Sequence, residues 1–181
     1  MKWDYEFDVV VIGSGNGALT SALCSHDGGA KTLVIEKSNQ FGGTSATSGG
    51  GVWIPNNRYA RAENVDDSNK DARDYIDSVS PEGQIKDELV ETYLSEGPKM
   101  IDYLHENSQV KYRNLQHYPD YFPDNPGGKA GNRSMEPEPI NGTELGDDLS
   151  KLREQHPQTA FTMGPINMNF TQVEGQLLLG A

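Results

Sequence analysis

The sequence holds a single cysteine, Cys24, among its 181 residues. No internal disulfide is therefore available, and a lone thiol fits the reducing cytoplasm. Cations are scarce as well: 15 Lys and Arg stand against 27 Asp and Glu, for a net charge of -12. That argues against nucleic acid as a partner, because phosphate binding needs clustered Lys and Arg, and it disfavours an anionic membrane surface. Apolar residues make up 34%, below the usual globular share, so the core is expected to be thin. No apolar run approaches the ~20 residues of a membrane span, and no transmembrane segment is expected. The opening MKWDYEFD is acidic and aromatic, unlike a signal peptide. His26, His105, His117 and His156 are scattered without ligand spacing, so no metal site is expected. What the chain has in quantity is glycine, with 20 residues, and these with 10 prolines imply much loop.

The length suits one domain of ordinary size. Phe7 to Ile12 is a β-branched run that predicts a buried parallel strand. Gly15 to Asp27 predicts a helix with Leu19, Ala22 and Leu23 on one face, stopped by Gly28 and Gly29. Cys24 falls in this helix, where packing as a small hydrophobe is expected. Thr32 to Ile35 predicts a second buried strand. Strand, helix and strand within about thirty residues make a βαβ unit, whose strands are parallel neighbours. Further on, helices are expected over Asp66 to Val79 and from Gln84 to Glu106, with Pro98 kinking or splitting the second. The acidic stretch Glu63 to Asp77 is expected to be a solvated face. A strand is expected over Val110 to Leu115, an ordered irregular loop over Gln116 to Asn141, a loop ending in a short helix over Thr143 to Glu154, and another helix over Gln172 to Leu179.

Gly13-Ser14-Gly15-Asn16-Gly17-Ala18 follows the first strand and opens the helix. This is the dinucleotide-binding fingerprint with alanine in its last place. Gly13 permits a tight turn, Gly15 lets backbone approach a pyrophosphate, and Ala18 lets helix and strand pack closely. The helix N-terminus offers N–H groups and partial positive charge to the anion. Glu36 ends the second strand, 23 residues after Gly13 (36 − 13). That matches the ~20-residue spacing of a carboxylate that accepts ribose hydroxyls.

The fingerprint alone does not choose between NAD and FAD. A second run does: Gly42 to Gly51 carries nothing larger than threonine. It can lay backbone N–H groups and the hydroxyls of Thr44, Ser45, Thr47 and Ser48 along a second part of an extended ligand, as anion-binding nests do. A flexible glycine-serine linker is the plain alternative. The run ends on Val52, Trp53 and Ile54, apolar residues expected to anchor it, and a linker needs no anchor.

The segments VVVIGSGNGALTSAL and VIEKSNQFGGTSATSGGGVWIPNN together resemble the flavoprotein family of fumarate reductase, the succinate dehydrogenase flavoprotein and the 3-ketosteroid dehydrogenases. SGGGVWIPNN and YPDYFPDNPGGKAGNRSMEPEP are most similar to the 3-ketosteroid Δ1-dehydrogenase branch. The resemblance covers Asp8 to Ala181. It implies an α/β, three-layer, Rossmann-like FAD-binding domain with a βαβ start, here truncated: a dinucleotide core over 7–57 and a helical, aromatic-loop extension over 58–181. It implies that Gly13, Ser14, Gly15, Asn16, Gly17 and Ala18 hold the FAD pyrophosphate, and that Glu36 binds the adenosine ribose with Lys37 and Ser38 nearby. Gly43, Thr44, Ser45 and Ala46 would cover the pyrophosphate and ribityl chain, and Ser48, Gly49, Gly50 and Gly51 would pass close to the flavin.

The same resemblance implies the chemistry: removal of two hydrogens beside a steroid ketone, one as hydride to flavin N5 and one as a proton to a tyrosine, with electrons passed to an acceptor. Tyr121 would assist a second tyrosine, and Tyr118 would wall the steroid pocket. An aromatic loop packed on its own domain is the plain alternative for both. The family's chains are longer than this one, so an incomplete chain that binds FAD weakly without turnover is expected, its main catalytic residues lying beyond Ala181. Two other functions stay open: another oxidoreductase of the superfamily acting on fumarate, succinate or a different ketosteroid bond, or a non-catalytic nucleotide-binding module.

Overall fold

The computed structural model describes residues 3–154 and the backbone of the short antiparallel pair Thr162–Met163 and Ile166–Asn167. His156 and the helix expected over Gln172 to Leu179 lie outside the described residues. Two compact units are present. One comprises 3–50 with 139–154 among the described residues, and the other 51–138. The chain thus leaves the first unit at the end of the glycine run and returns to it after the aromatic loop.

In the first unit, β1 (Val9–Ile12) pairs in parallel with β2 (Thr32–Ile35), in register Val9 to Thr32 through Ile12 to Ile35. Helix α1 (Asn16–Asp27) makes the crossover and packs on both strands. Gly28 closes α1, donating to the carbonyl of Cys24, and Gly29 follows with φ +88, a conformation that favours glycine. The expected burial of these strands is not met. Val11 is 9% exposed, whereas Val10 is 50% and Ile12 82% exposed. In β1 side chains alternate across the strand, leaving Val10 and Ile12 open, while in β2 Thr32 and Leu33 are half-buried and Val34 and Ile35 exposed. Leu19 and Cys24 of α1 are likewise exposed; the thiol is not the packed core residue that the helix pattern suggests. Phe41 and Leu152 form a parallel bridge that ties the returning chain, with its short 3-10 turns over Gly142–Lys151, back to the unit.

In the second unit, β3 (Val52–Trp53) and β4 (Tyr112–Asn114) flank β5 (Ser134–Pro137) in an antiparallel sheet of order β3-β5-β4. β5 lies inside the stretch expected to be irregular. Its SMEP sequence lacks the β-branched signal of a strand, and pairing on both sides stabilises it instead. Ile54, Ile101, Tyr112 and Met135 form the core here, so the apolar end of the glycine run is anchored as expected. Helix α2 (Arg58–Ala62) is capped by Asn57, whose side chain accepts from the amides of Tyr59 and Ala60. Helix α3 (Asn69–Val79) is capped by Ser68. Helix α4 (Asp87–Asn107) runs through Pro98 unbroken rather than splitting there. Pro98 and Gly97 are buried, with Gly97 against Ile54, so tertiary packing outweighs the lost backbone hydrogen bond. Ala72 of α3 packs on Val90 and Leu94 of α4.

Candidate functional site

In the first unit, two ribbons of main chain lie against each other. Gly13 has φ +98 and turns the chain from β1 into α1. Gly42 has φ +103, and a Cβ there would stand 2.7 Å from the Cβ of Ala46. Gly43 has φ +55, and its Cβ would meet the N and Cα of Gly15 at 3.5 Å. Close approach of one backbone to another is what these positions provide. The second glycine run is therefore no linker: it is seated on the first.

Serines fasten the contact. The buried Ser14 hydroxyl donates to Glu36 Oε2 at 2.5 Å and accepts from the amide of Gly42 at 2.9 Å. Ser45 Oγ accepts from the amide of Asn16 at 3.0 Å. The intrahelical ladder of α1 starts with Leu19 N–H donating to Gly15 O. The amides of Gly17 and Ala18 consequently have no intrahelical acceptor and point from the positive end of the helix. Glu36 Oε1 accepts from the amide of Ser38 at 3.0 Å. The Ser14 hydroxyl, and after it the Ser38 amide, hold the Glu36 carboxyl below its usual range. The group stays an ionised, preset acceptor.

A cavity of about 720 Å³ opens between these parts, lined by Gly13, Ser14, Gly15, Glu36, Lys37, Ser38, Gly43 and Thr44, with Ile12, Gln40 and Arg153. Asn16, Gly17 and Ala18 form the adjoining first turn of α1. Ser45 and Ala46 belong to the 3-10 turn Ser45–Thr47 beneath it. Ser48 closes that turn, its hydroxyl donating to Ser45 O, and Gly50 N–H donates back to Ser48 Oγ. Ser48, Gly49 and Gly50 do not line the cavity. Gly51 belongs to the second unit, beside Met135 O. Arg153 carried no signal in the sequence. Its place is fixed by main-chain bonds of Phe41 N to Lys151 O and Arg153 N to Phe41 O, at 2.8 and 2.9 Å.

The glycine-walled groove, the open helix end and the ionised Glu36 carboxylate suit an adenine dinucleotide. The FAD binding domain family matches residues 8–172. This chain belongs to that family. FAD is the cofactor of the domain, and the groove suits it by offering bare main chain, free N–H groups and an ionised carboxylate. The FAD-binding domain is 36% identical over 168 residues to a 3-oxosteroid 1-dehydrogenase of Mycolicibacterium smegmatis, covering 93% of this chain and 29% of that protein. It is 38% identical to a 4-oxocyclohexanecarboxylate 2-dehydrogenase of Sinomonas cyclohexanicum, covering 87% of this chain and 27% of the relative. Among solved structures, a 3-ketosteroid delta1-dehydrogenase of Sterolibacterium denitrificans in complex with 1,4-androstadiene-3,17-dione superposes with a TM-score of 0.79 at 40% identity. That match covers 85% of this chain and 27% of the other. The chain thus spans less than a third of the length of these relatives.

The second unit of the FAD-binding domain carries a separate cavity of about 370 Å³, lined by Trp53, Tyr75, Ile76, Val79, Ser80, Tyr118, Pro119, Asp120, Tyr121, Phe122 and Ser134. Both tyrosines singled out in the sequence line it. Tyr121 is 84% exposed, and His117, next to the motif, is a surface residue. Among the described residues no cationic side chain lines it. The Arg133 guanidinium, which lies over the rings of Trp53 and Tyr75, is buried and engaged in ion pairs with Asp67 and Asp120. Asp67 corrects the expectation of a wholly solvated acidic stretch: its side chain is 3% exposed. Among the described residues no group of side chains has the makings of a metal site, and no helix is long and apolar enough to cross a membrane.

Proposed function

We propose that this chain supplies the FAD cradle and part of the substrate pocket of an oxidoreductase that introduces a double bond beside the ketone of a neutral 3-ketosteroid. One observation carries the substrate class: the cavity of the second unit is walled mainly by rings and aliphatic side chains, with Ser80, Ser134 and the already paired Asp120 as its polar residues and no cation among the described residues that line it. A flat, uncharged polycycle suits such walls. A carboxylate-bearing ketone, such as the name of the Sinomonas relative describes, or a dicarboxylate such as fumarate, needs a cationic partner that these walls lack.

In this proposal Gly13 to Ala18 and Gly42 to Ala46 bind the diphosphate and ribityl part of FAD, and Glu36 accepts from the adenosine ribose. Bound FAD supplies the hydride acceptor. Ser48 to Gly51 pass near the flavin. Tyr118 walls the steroid. Tyr121 supports a tyrosine acting as proton acceptor, since a phenol with an ordinary pKa of about 10 needs a partner to serve as a base. Such support fits a hydroxyl on an exposed ring at the pocket's edge. The electron acceptor is a redox partner of the complete protein, and a reducing intracellular setting accords with the single thiol.

The test is ligand choice. In a Trp3→Phe background Trp53 is the remaining indole of the two, and it lines the cavity. Titration with 4-androstene-3,17-dione is expected to quench its emission saturably, while 4-oxocyclohexanecarboxylate does not. The opposite order defeats the steroid assignment. Bound flavin without response to either ketone favours a nucleotide-binding module.

A further inference from the structure

The loop that carries Tyr118 and Tyr121 has no regular secondary structure between Asn114 and Ser134, yet its conformation is closely determined. Asp120 sits between the tyrosines and is 5% exposed. Its Oδ1 accepts from the indole N–H of Trp53 at 2.6 Å. Its Oδ2 accepts from Arg133 Nη1 at 2.8 Å and from the amide of Lys129 at 3.0 Å. Its own amide donates to Lys129 O at 3.0 Å, closing the loop on itself.

Arg133 is 1% exposed and carries the connection further. Its Nη2 and Nε donate to the two oxygens of Asp67 at 2.7 and 3.1 Å. Asp67 is itself held by the amides of Asn56 and Ser68. The guanidinium lies 5.5 Å from the ring of Trp53 and 5.8 Å from that of Tyr75. Two carboxylates thus share one guanidinium away from water, with amide and indole donors completing their coordination. A buried charge cluster of this kind is weak evidence for net stability, and its better-attested use is to specify one arrangement.

We propose that Asp120 is a positioning residue. Gripped by Arg133 and Trp53, its carboxylate fixes the backbone between Tyr118 and Tyr121 and so sets the shape of the aromatic cavity. The use made of that shape rests on the steroid assignment above. Two of the pin's members, Trp53 and Asp120, line the cavity themselves, so a ligand there touches the groups that hold its walls.

The test pairs a ligand-independent readout with a ligand-dependent one. Asp120→Asn keeps the shape and removes the charge. Amide hydrogen exchange at Phe122 and Lys129, whose N–H groups are bonded to Tyr75 and Asp120, is expected to rise about tenfold, confined to 116–132, because losing a charge-assisted bond opens a locally held segment first. The affinity for 4-androstene-3,17-dione is expected to fall by about as much. Trp53→Phe removes only the indole donor and is expected to act in the same sense, more weakly; it serves if Asp120→Asn fails to fold. Arg133→Lys retains the charge and is expected to keep part of the protection that an Arg133→Gln variant loses. Unchanged exchange at Phe122 and Lys129 in a folded variant overturns the proposal. So does exchange that rises uniformly over 51–138, which marks a role in stability alone. If the unsubstituted chain ignores the steroid, the substrate assignment falls, and the exchange data still judge the pin.

Discussion

Ser45 Oγ accepts the main-chain N–H of Asn16 at 3.0 Å, across 29 positions of sequence. The N-cap of α1 is Gly15, which has no side chain to cap the free amides of this helix end. A hydroxyl from the second glycine run does so instead. Cap and contact are therefore the same bond, and the ribbons are fixed to one another by the need of a helix end for an acceptor.

Ser14 joins Glu36, the proposed ribose acceptor, to the second ribbon, and its removal is expected to weaken FAD binding and move its acid limit. Ser14→Ala deletes the largest influence holding the Glu36 carboxyl down. Because that pKa is lowered in the folded chain, the acceptor form is present at neutral pH and is lost only as the pH falls through the depressed value. In the variant the pKa returns towards the usual carboxylate range, so binding fails at higher pH. Flavin fluorescence titrations between neutral and acidic pH measure the shift.

Gly42→Val is expected to part the two ribbons. The added Cβ meets Ala46 at 2.7 Å in a backbone conformation of φ +103, a strain of about 1–3 kcal/mol. Flavin affinity is expected to fall about thirtyfold, the equivalent of about 2 kcal/mol in the middle of that range. The ultraviolet circular dichroism of the helices is expected to change little.

Arg153 lines the cradle as a cation beside the glycine turn. Arg153→Ala is expected to weaken FAD by roughly two- to fivefold, since exposed ion pairs are worth about 0.2–1 kcal/mol. The deficit is expected to shrink as salt is raised. Titrations at low and high ionic strength check both points.

Gly131 closes the aromatic loop on its own start. A Cβ there would lie 1.9 Å from Gln116 O. Gly131→Ala is expected to cost about 1–3 kcal/mol, as overpacking does, and to lower the thermal midpoint. Asp120→Ala is expected to cost more, about 3–5 kcal/mol, because Arg133 then keeps a buried charge short of a partner.

Local pattern by itself determined the βαβ start, the fingerprint turn and the placing of Glu36. Each depends on neighbours within a few residues or on one short crossover, and periodicity and glycine chemistry report such neighbours directly. β5, the unbroken course of α4 through Pro98, the exposure of Cys24 and the part taken by Arg153 were decided by tertiary structure. So was the burial of Asp67 with Arg133, 66 positions away. An acidic residue reads as solvated in sequence because water is its default solvent, and only a guanidinium brought in by the fold gives it a reason to be buried.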